Sequence, residues 1–474
     1  MTPFAQLLTG LVFTPSRNAK LTLLTRFFEA APDPDRGWAL AAVAGELDLR
    51  SAQPAMIRGL VEERVDPALF RMSYDYVGDL AETVALIWPE DAAAAPGEVR
   101  LSDVVEAIAA ASRSDFPALL ARLLDRLPSD ERFALIKLAT GGLRVGVSAR
   151  LAKTALAAWA AENGVEGASV ERIEELWHGL DPPYEPLFAW LSGVAAEPKV
   201  DLRLAFRPMM LAHPLDAGLY SADELRANAE TEAGTLARLA ARLAPAEHAA
   251  EWKWDGVRVQ AVASRGERRL YSRTGEDIGG AFPDLLDAMT WEGCVDGELL
   301  VAHASEDGPI AAPFSDLQKR LGRKTVSAKM LRELPAHIRA YDLLHDGAED
   351  LRALPLARRR ARLEAWAADK TDRLDVSPLI AFDDWASLQE IRAGARAASQ
   401  EGLMLKRWDA PYQGGRPLGP WWKWKRDPLT LDCVLMYAQR GHGRRSSYYS
   451  DYTFGAWRDG PEGLELTPVG KAYS

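Results

Sequence analysis

Cysteine is nearly missing from this chain: Cys294 and Cys433 are the two among 474 residues. That scarcity excludes a disulfide framework and a four-cysteine zinc site, and it suits a reducing, cytoplasmic setting. Histidine is also sparse, and the seven present are scattered without the spacing that metal ligation needs. No apolar run reaches the length of about eighteen residues that a membrane-spanning helix requires. The first twenty residues, MTPFAQLLTGLVFTPSRNAK, lack the charged start and small-residue cleavage site of a secretory signal. No internal repeat stands out, and low complexity is confined to the alanines at 92–95. Positive charge is in deficit overall, with 57 Lys and Arg against 68 Asp and Glu for a net charge of −11. That balance argues against a non-specific nucleic-acid binder, whose affinity comes from neutralising phosphates.

What is present reads as a globular chain of roughly two to four domains. Apolar residues make up 48% and charged residues 26%, ordinary values for a globular protein. Residues 1–200 are rich in Ala and Leu with apolar residues spaced three and four apart, which predicts a bundle of short helices. Leu119, Leu120, Leu123, Leu124 and Leu127 form one such stripe. Ser129 is placed to cap the next helix, with Asp130 and Glu131 in its first turn. Pro32, Pro89, Pro96 and Pro117 read as breaks between helices. The stretch TGGLRVGVS at 140–148 pairs glycines with Arg144, so that backbone could approach a phosphate at Gly142 or Gly146. Taken alone, it reads better as a plain helix–helix turn.

Residues 195–216 contain Pro198, Pro208 and Pro214 and little periodicity, as an interdomain connection would. A short helical piece follows at about 225–243. From Ala249 the character becomes mixed. Val257, Val259, Ala261 and Ala263 alternate with Arg258 and Gln260, Gly266 marks a turn, and residues 269–273 return as a hairpin partner.

The organising stretch is Glu251-Trp252-Lys253-Trp254-Asp255-Gly256-Val257-Arg258, a K-x-D-G-x-R pattern. Strand alternation would put Lys253 and Asp255 on one face. Gly256 has no Cβ, which leaves room for a ligand against the backbone. A lysine held among such neighbours is a candidate nucleophile, although an edge strand with an ordinary ion pair has the same letters. Further on, Asp296 and Glu298 in VDGELL share a strand face and suit a ribose or a hard cation. Tyr341 opens a short apolar strand and could stack on a base. In WWKWK, Lys423 and Lys425 share one face while Trp422 and Trp424 anchor the other. Between 403 and 458, ten Lys and Arg face four Asp, a local surplus of six that suggests a basic face for phosphates.

In order along the chain, KWDGVR, SRTGED, VDGELL, AYDLL, EGLMLK and WWKWK resemble the motif set of the nucleotidyltransferase superfamily and, within it, the ATP-dependent DNA ligases. The helical first part, notably TGGLRVGVS, is similar to the DNA-binding domain of bacterial multi-domain ligases. The resemblance implies an all-α DNA-binding domain at 1–200, where Arg144, Gly142 and Gly146 would meet DNA. An α+β nucleotidyltransferase core with ATP-grasp-like antiparallel sheets would occupy 205–428, and the start of a β-barrel OB-fold 429–474. It also assigns roles. Lys253 would carry the adenylate and Glu251 would meet the adenine edge. Arg258 and Arg273 would serve the ribose and phosphates, with Arg416 as an additional phosphate-side arginine. Glu298 would hold the ribose, directly or through metal, and Tyr341 would stack on adenine. Glu401 would be a metal carboxylate beside Glu298, and Lys423 and Lys425 would contact the α-phosphate. ATP and magnesium are the implied cofactors. Nicked double-stranded DNA is the implied partner, met by a monomer working at the nucleoid in repair, replication or recombination.

The C-terminus departs from that pattern. Strand-like segments at 431–439, 448–457 and 464–472 resemble the opening of an OB-fold, which needs about five strands. The family's final basic strand does not follow. The resemblance therefore implies a truncated barrel and self-adenylation impaired more than sealing of a pre-adenylated nick. Two alternatives remain open on sequence: a catalytically impaired nicked-DNA-binding protein, and an RNA ligase or capping-type nucleotidyltransferase.

Overall fold

A computed structural model describes the chain except for residues 48, 50–51, 91–98, 142, 144, 220–231, 307, 324, 371, 428–429, 442–447, 462 and 474, and the side chains of 217–218 and 232–234. Two compact units emerge, one from Met1–Ile173, Leu180–Lys199 and Leu429–Ser474, the other from Glu174–Gly179 and Val200–Pro428. Among the described residues no helix is long and apolar enough to cross a membrane.

The first unit opens with short helices running from Thr2–Phe13 to Glu185–Leu191. Their starts follow local chemistry. Asp66 accepts hydrogen bonds from the N–H of Ala68 and Leu69 ahead of Pro67–Val77, and Ser148 accepts from Leu151 N–H ahead of Ala149–Glu162. The leucine stripe lies on Phe116–Arg126, with Leu120, Leu123 and Leu124 buried. Two sequence expectations change. Pro117 sits within the first turn of that helix rather than between helices, where its missing N–H costs nothing. The cap of Ser129–Ala139 is Pro128, without a side-chain hydrogen bond, because Ser129 is already helical. Gly142 and Arg144 lie outside the described residues. Gly146 has φ +68°, and a Cβ there would stand 2.3 Å from Lys20 Nζ. That ammonium is buried and donates to the carbonyls of Val145 (3.0 Å) and Gly146 (2.9 Å). An internal contact thus accounts for this glycine.

The same unit includes an antiparallel meander of β13 (Val434–Arg440), β14 (Tyr449–Gly460) and β15 (Gly463–Tyr473), close to the three strand-like segments expected.

The second unit is a four-layer stack. A five-stranded sheet runs in the order β1 (His213–Pro214), β12 (Trp421–Lys425), β11 (Gly402–Arg407), β2 (His248–Lys253), β10 (Leu379–Ile380). A second sheet runs β4 (Glu267–Ser272), β3 (Val257–Ser264), β5 (Gly293–His303), β7 (Ala336–Asp346), β8 (Glu349–Asp350), with β6 (Ile310–Ala311) on β5 and β9 (Leu374–Val376) on β7. Pairing is antiparallel except for β1 with β12 and β9 with β7. The sheets enclose Val262, Tyr271, Cys294, Leu344, Tyr412 and Trp421. Outside the second sheet, Val259, Ala261 and Val295 pack with Leu285 and Leu363 of helices Pro283–Ala288 and Leu356–Ala367. Outside the first, Trp422, Trp424, Leu403 and Leu405 pack with Leu239 and Leu388 of helices Glu232–Arg242 and Trp385–Ala393.

Two further expectations are corrected. The β3 strand is buried on both faces, not one: Gln260 is fully buried, accepting from Arg207 N–H (2.5 Å) and donating to Arg207 carbonyl (3.0 Å). Residues beyond 200 are likewise no loose connection, because Phe206, Met209 and Met210 are core and Leu215 N–H bonds to Lys423 carbonyl.

Candidate active site

Strand register builds the site. Gly402 pairs with both Lys253 and Lys425, Met404 with both Glu251 and Lys423, and Lys406 with both Ala249 and Trp421. Alternation turns these three rows toward the other sheet and sends Trp422, Trp424 and Leu403 outward. Three positions far apart in the chain thereby become one basic wall. Gly402 is required at its centre. It sits at φ +137°, and a Cβ would lie 2.3 Å from Trp424 carbonyl.

That wall and the second sheet enclose a cavity of about 450 Å³. Glu251, Lys253, Arg258, Arg273, Glu298, Tyr341, Glu401, Arg416, Lys423 and Lys425 all line it. Of the nucleotide- or metal-directed candidates named from sequence, Asp296 alone does not border this space.

The Lys253 amine meets Glu401 Oε2 at 3.0 Å, and Lys425 meets the same oxygen at 2.9 Å. These two cations hold the Glu401 carboxyl below its ordinary range, against the pull of burial. Asp255 was expected beside that amine. The strand ends at Lys253, so alternation stops, and among the described residues Glu401 takes the ion pair. Gly256 borders the cavity, but a Cβ there would strike Leu299 carbonyl at 2.5 Å and Glu298 Cγ at 2.9 Å. Close approach of β5 explains this glycine more directly than room for a ligand.

Asp296 and Glu298 differ sharply. Asp296 is fully buried beneath the site, where Arg258 donates Nε at 2.9 Å and a second guanidinium nitrogen at 2.5 Å, and Tyr412 donates its hydroxyl at 2.6 Å. Arg258 also donates to Met210 carbonyl at 2.6 Å, so its guanidinium is largely committed to the framework. Glu298 faces the cavity instead. Burial pushes its carboxyl up to about 8, with Glu401 and Asp296 adding to the rise and Lys253 and Arg258 opposing it.

At the rim, burial pulls the Lys423 ammonium below its usual value, and Arg416, Lys425, Lys253 and Arg273 reinforce the shift. A crowd of cations this close together suits an anionic ligand. Arg416 is placed by backbone: Gly415 exchanges hydrogen bonds with Met209 and Leu211 at 3.0 and 2.6 Å. On the other side, Tyr341 and Trp421 meet edge to face with centroids 6.4 Å apart. Sequence reading missed Lys406, Trp421, Tyr412 and Arg360 around this end. The available signal was Lys406 itself, a charge at an inward position of the apolar strand EGLMLK.

The family model described as an ATP dependent DNA ligase domain matches residues 230–425. A "Probable DNA ligase" of Anaeromyxobacter sp. (strain Fw109-5) is 34% identical over 451 residues, covering 92% of this chain and 80% of that protein. A "Probable DNA ligase" of Koribacter versatilis (strain Ellin345) is 34% identical over 382 residues, covering 75% of this chain and 60% of that protein. A solved structure named "Pmar-Lig_Pre." aligns with 99% of this chain and 88% of its own at a TM-score of 0.55 and 14% identity, a likeness of fold. The matched domain spans the very strands that wall the cavity, and likeness to a ligase runs along nearly the whole sequence: the chain belongs to the ATP-dependent DNA ligase family.

Proposed function

We propose that this chain seals nicks in duplex DNA at the expense of ATP, with Lys253 as the residue that carries AMP. One observation carries the reading: a lysine amine poised on a carboxylate in a cavity rimmed by Lys423, Lys425, Arg273 and Arg416. Once the Lys253 side chain has given up a proton, its amine attacks the α-phosphorus, a P–N bond forms, the bond to pyrophosphate breaks with the electron pair leaving on pyrophosphate, and the nitrogen sheds a second proton to give the phosphoramidate. The rim cations offset charge on the phosphoryl oxygens as it develops. AMP then passes from Lys253 to the 5′-phosphate at a nick, and the adjacent 3′-hydroxyl displaces it to form the phosphodiester.

The cavity volume lies in the range of nucleotide-sized sites. Tyr341 supplies a ring for the purine, and Glu251 a carboxylate for its edge. Glu298 and Glu401 are the carboxylates for magnesium. When bound, such an ion neutralises phosphate charge. The helical segment would contact the duplex, and the β13–β15 meander would form part of an OB-fold.

Incubation with labelled ATP, then with nicked duplex, tests the reading. Lys253→Ala should lose covalent label by more than about a hundredfold, as removal of a nucleophile does. Label on that variant at the wild-type level would remove Lys253 from the chemistry.

A further inference from the structure

Lys406 is 2% exposed and lies at the end of the cavity farthest from the phosphate-side cations in the strand rows. Its ammonium donates to Glu251 Oε1 at 2.8 Å. It also sits 4.5 Å from the ring centre of Tyr341 and 4.7 Å from that of Trp421. Arg360 approaches the same Glu251 oxygen at 3.9 Å. Among the described residues nothing donates to Glu251 Oε2. The indole N–H of Trp421 is buried without a hydrogen-bond partner.

We infer that Lys406 is a positioning residue for the nucleobase, fixing the Glu251 carboxylate against the Tyr341–Trp421 wall so that this end of the cavity accepts adenine and disfavours guanine. The inference rests on the reading of the cavity as an ATP site. A buried carboxylate with one oxygen tied down presents the other in a set direction. An oxygen so aimed accepts from the exocyclic amino group of adenine and repels the carbonyl oxygen of guanine at the equivalent position. A free carboxylate would turn and lose that discrimination. Cation–π contact on two faces holds the Lys406 ammonium where no solvent competes. Lys406 lies two rows from the Lys253 row along β11, so its effect should fall on binding and choice of base rather than on the rate of bond formation.

The test measures covalent labelling by ATP and by GTP in wild type, K406M and E251Q/K406M, the last removing both members of the ion pair so that no buried carboxylate is stranded. K406M should raise the ATP concentration for half-maximal labelling about tenfold or more while the maximal rate stays within about threefold. Its preference for ATP over GTP should shrink, and the double variant should lose most of that preference. An unchanged half-maximal concentration, or an unchanged ATP-to-GTP ratio in both variants, overturns the role of Lys406. Absence of label from wild type with ATP overturns the ATP-site reading instead, so the two failures are distinct.

Discussion

Glu298 shows how a single side chain records the tension in the site. Its carboxyl is drawn toward ionisation by Lys253 and Arg258 and away from it by burial and by the carboxylates of Glu401 and Asp296, with burial dominant. Its proton affinity in the fold, pushed up to about 8, exceeds that of the unfolded chain. The unfolded chain therefore releases this proton at about pH 4.5, whereas the folded chain keeps it until about pH 8. Stability from this group is full below about pH 4.5 and falls as pH rises toward 8, then levels off. In the absence of metal and nucleotide, E298Q should remove that part of the pH dependence, melting about 2–4 °C or more above wild type at pH 9 and close to it at pH 5. Melting curves at pH 5, 7 and 9 decide the matter, and a constant difference across that range would sink it. The same carboxyl, released from its proton by a bound cation, is suited to serve as a ligand.

Among the elements, the row of Gly402 between Lys253 and Lys425 sets the geometry of the proposed nucleophile. Gly402→Ala would force a Cβ onto Trp424 carbonyl and demand a backbone angle that side chains avoid. It should cost about 2–4 kcal/mol and cut covalent labelling about tenfold or more, read by urea denaturation and labelling together. Full labelling in a destabilised protein would show that register at Gly402 does not place the amine. Register is also where sequence legibility ends. Period-two alternation revealed the β3–β4 hairpin and the split of Lys423 and Lys425 from Trp422 and Trp424, because each is decided within one strand. It did not reveal that Glu401, rather than Asp255, meets Lys253, because that contact is made by the residue just ahead of β11, about 150 residues further on. Asp296 looked like a second cavity carboxylate for a similar reason: its partners, Arg258 and Tyr412, come from separate elements. A bulge between Asp296 and Gly297 further shifts the pairing with β7. Polar residues in apolar strands mark a site or a buried network, and local pattern does not say which.

For the molecule as a whole, charge is the property that local structure does not fix. The chain carries a net charge of −11, yet its candidate substrate is a polyanion. Encounter with DNA would then depend on local basic patches working against the field of the remainder. Contacts of that kind are made to phosphates near solvent and release counterions, so affinity falls steeply with salt. The proposed nucleotide site differs: Lys253, Glu401 and Glu298 lie in a walled cavity of about 450 Å³, where screening by salt is weaker. Raising monovalent salt from about 50 to about 200 mM should therefore weaken nicked-duplex binding about tenfold or more and change covalent labelling by ATP less than about threefold. Fluorescence anisotropy of a labelled nicked duplex, run beside the ATP-labelling assay in the same buffers, measures both. Parallel losses in the two assays would mean that the cavity is as open to salt as the DNA-facing surface, and its walls would not provide the shelter argued for the phosphoryl transfer.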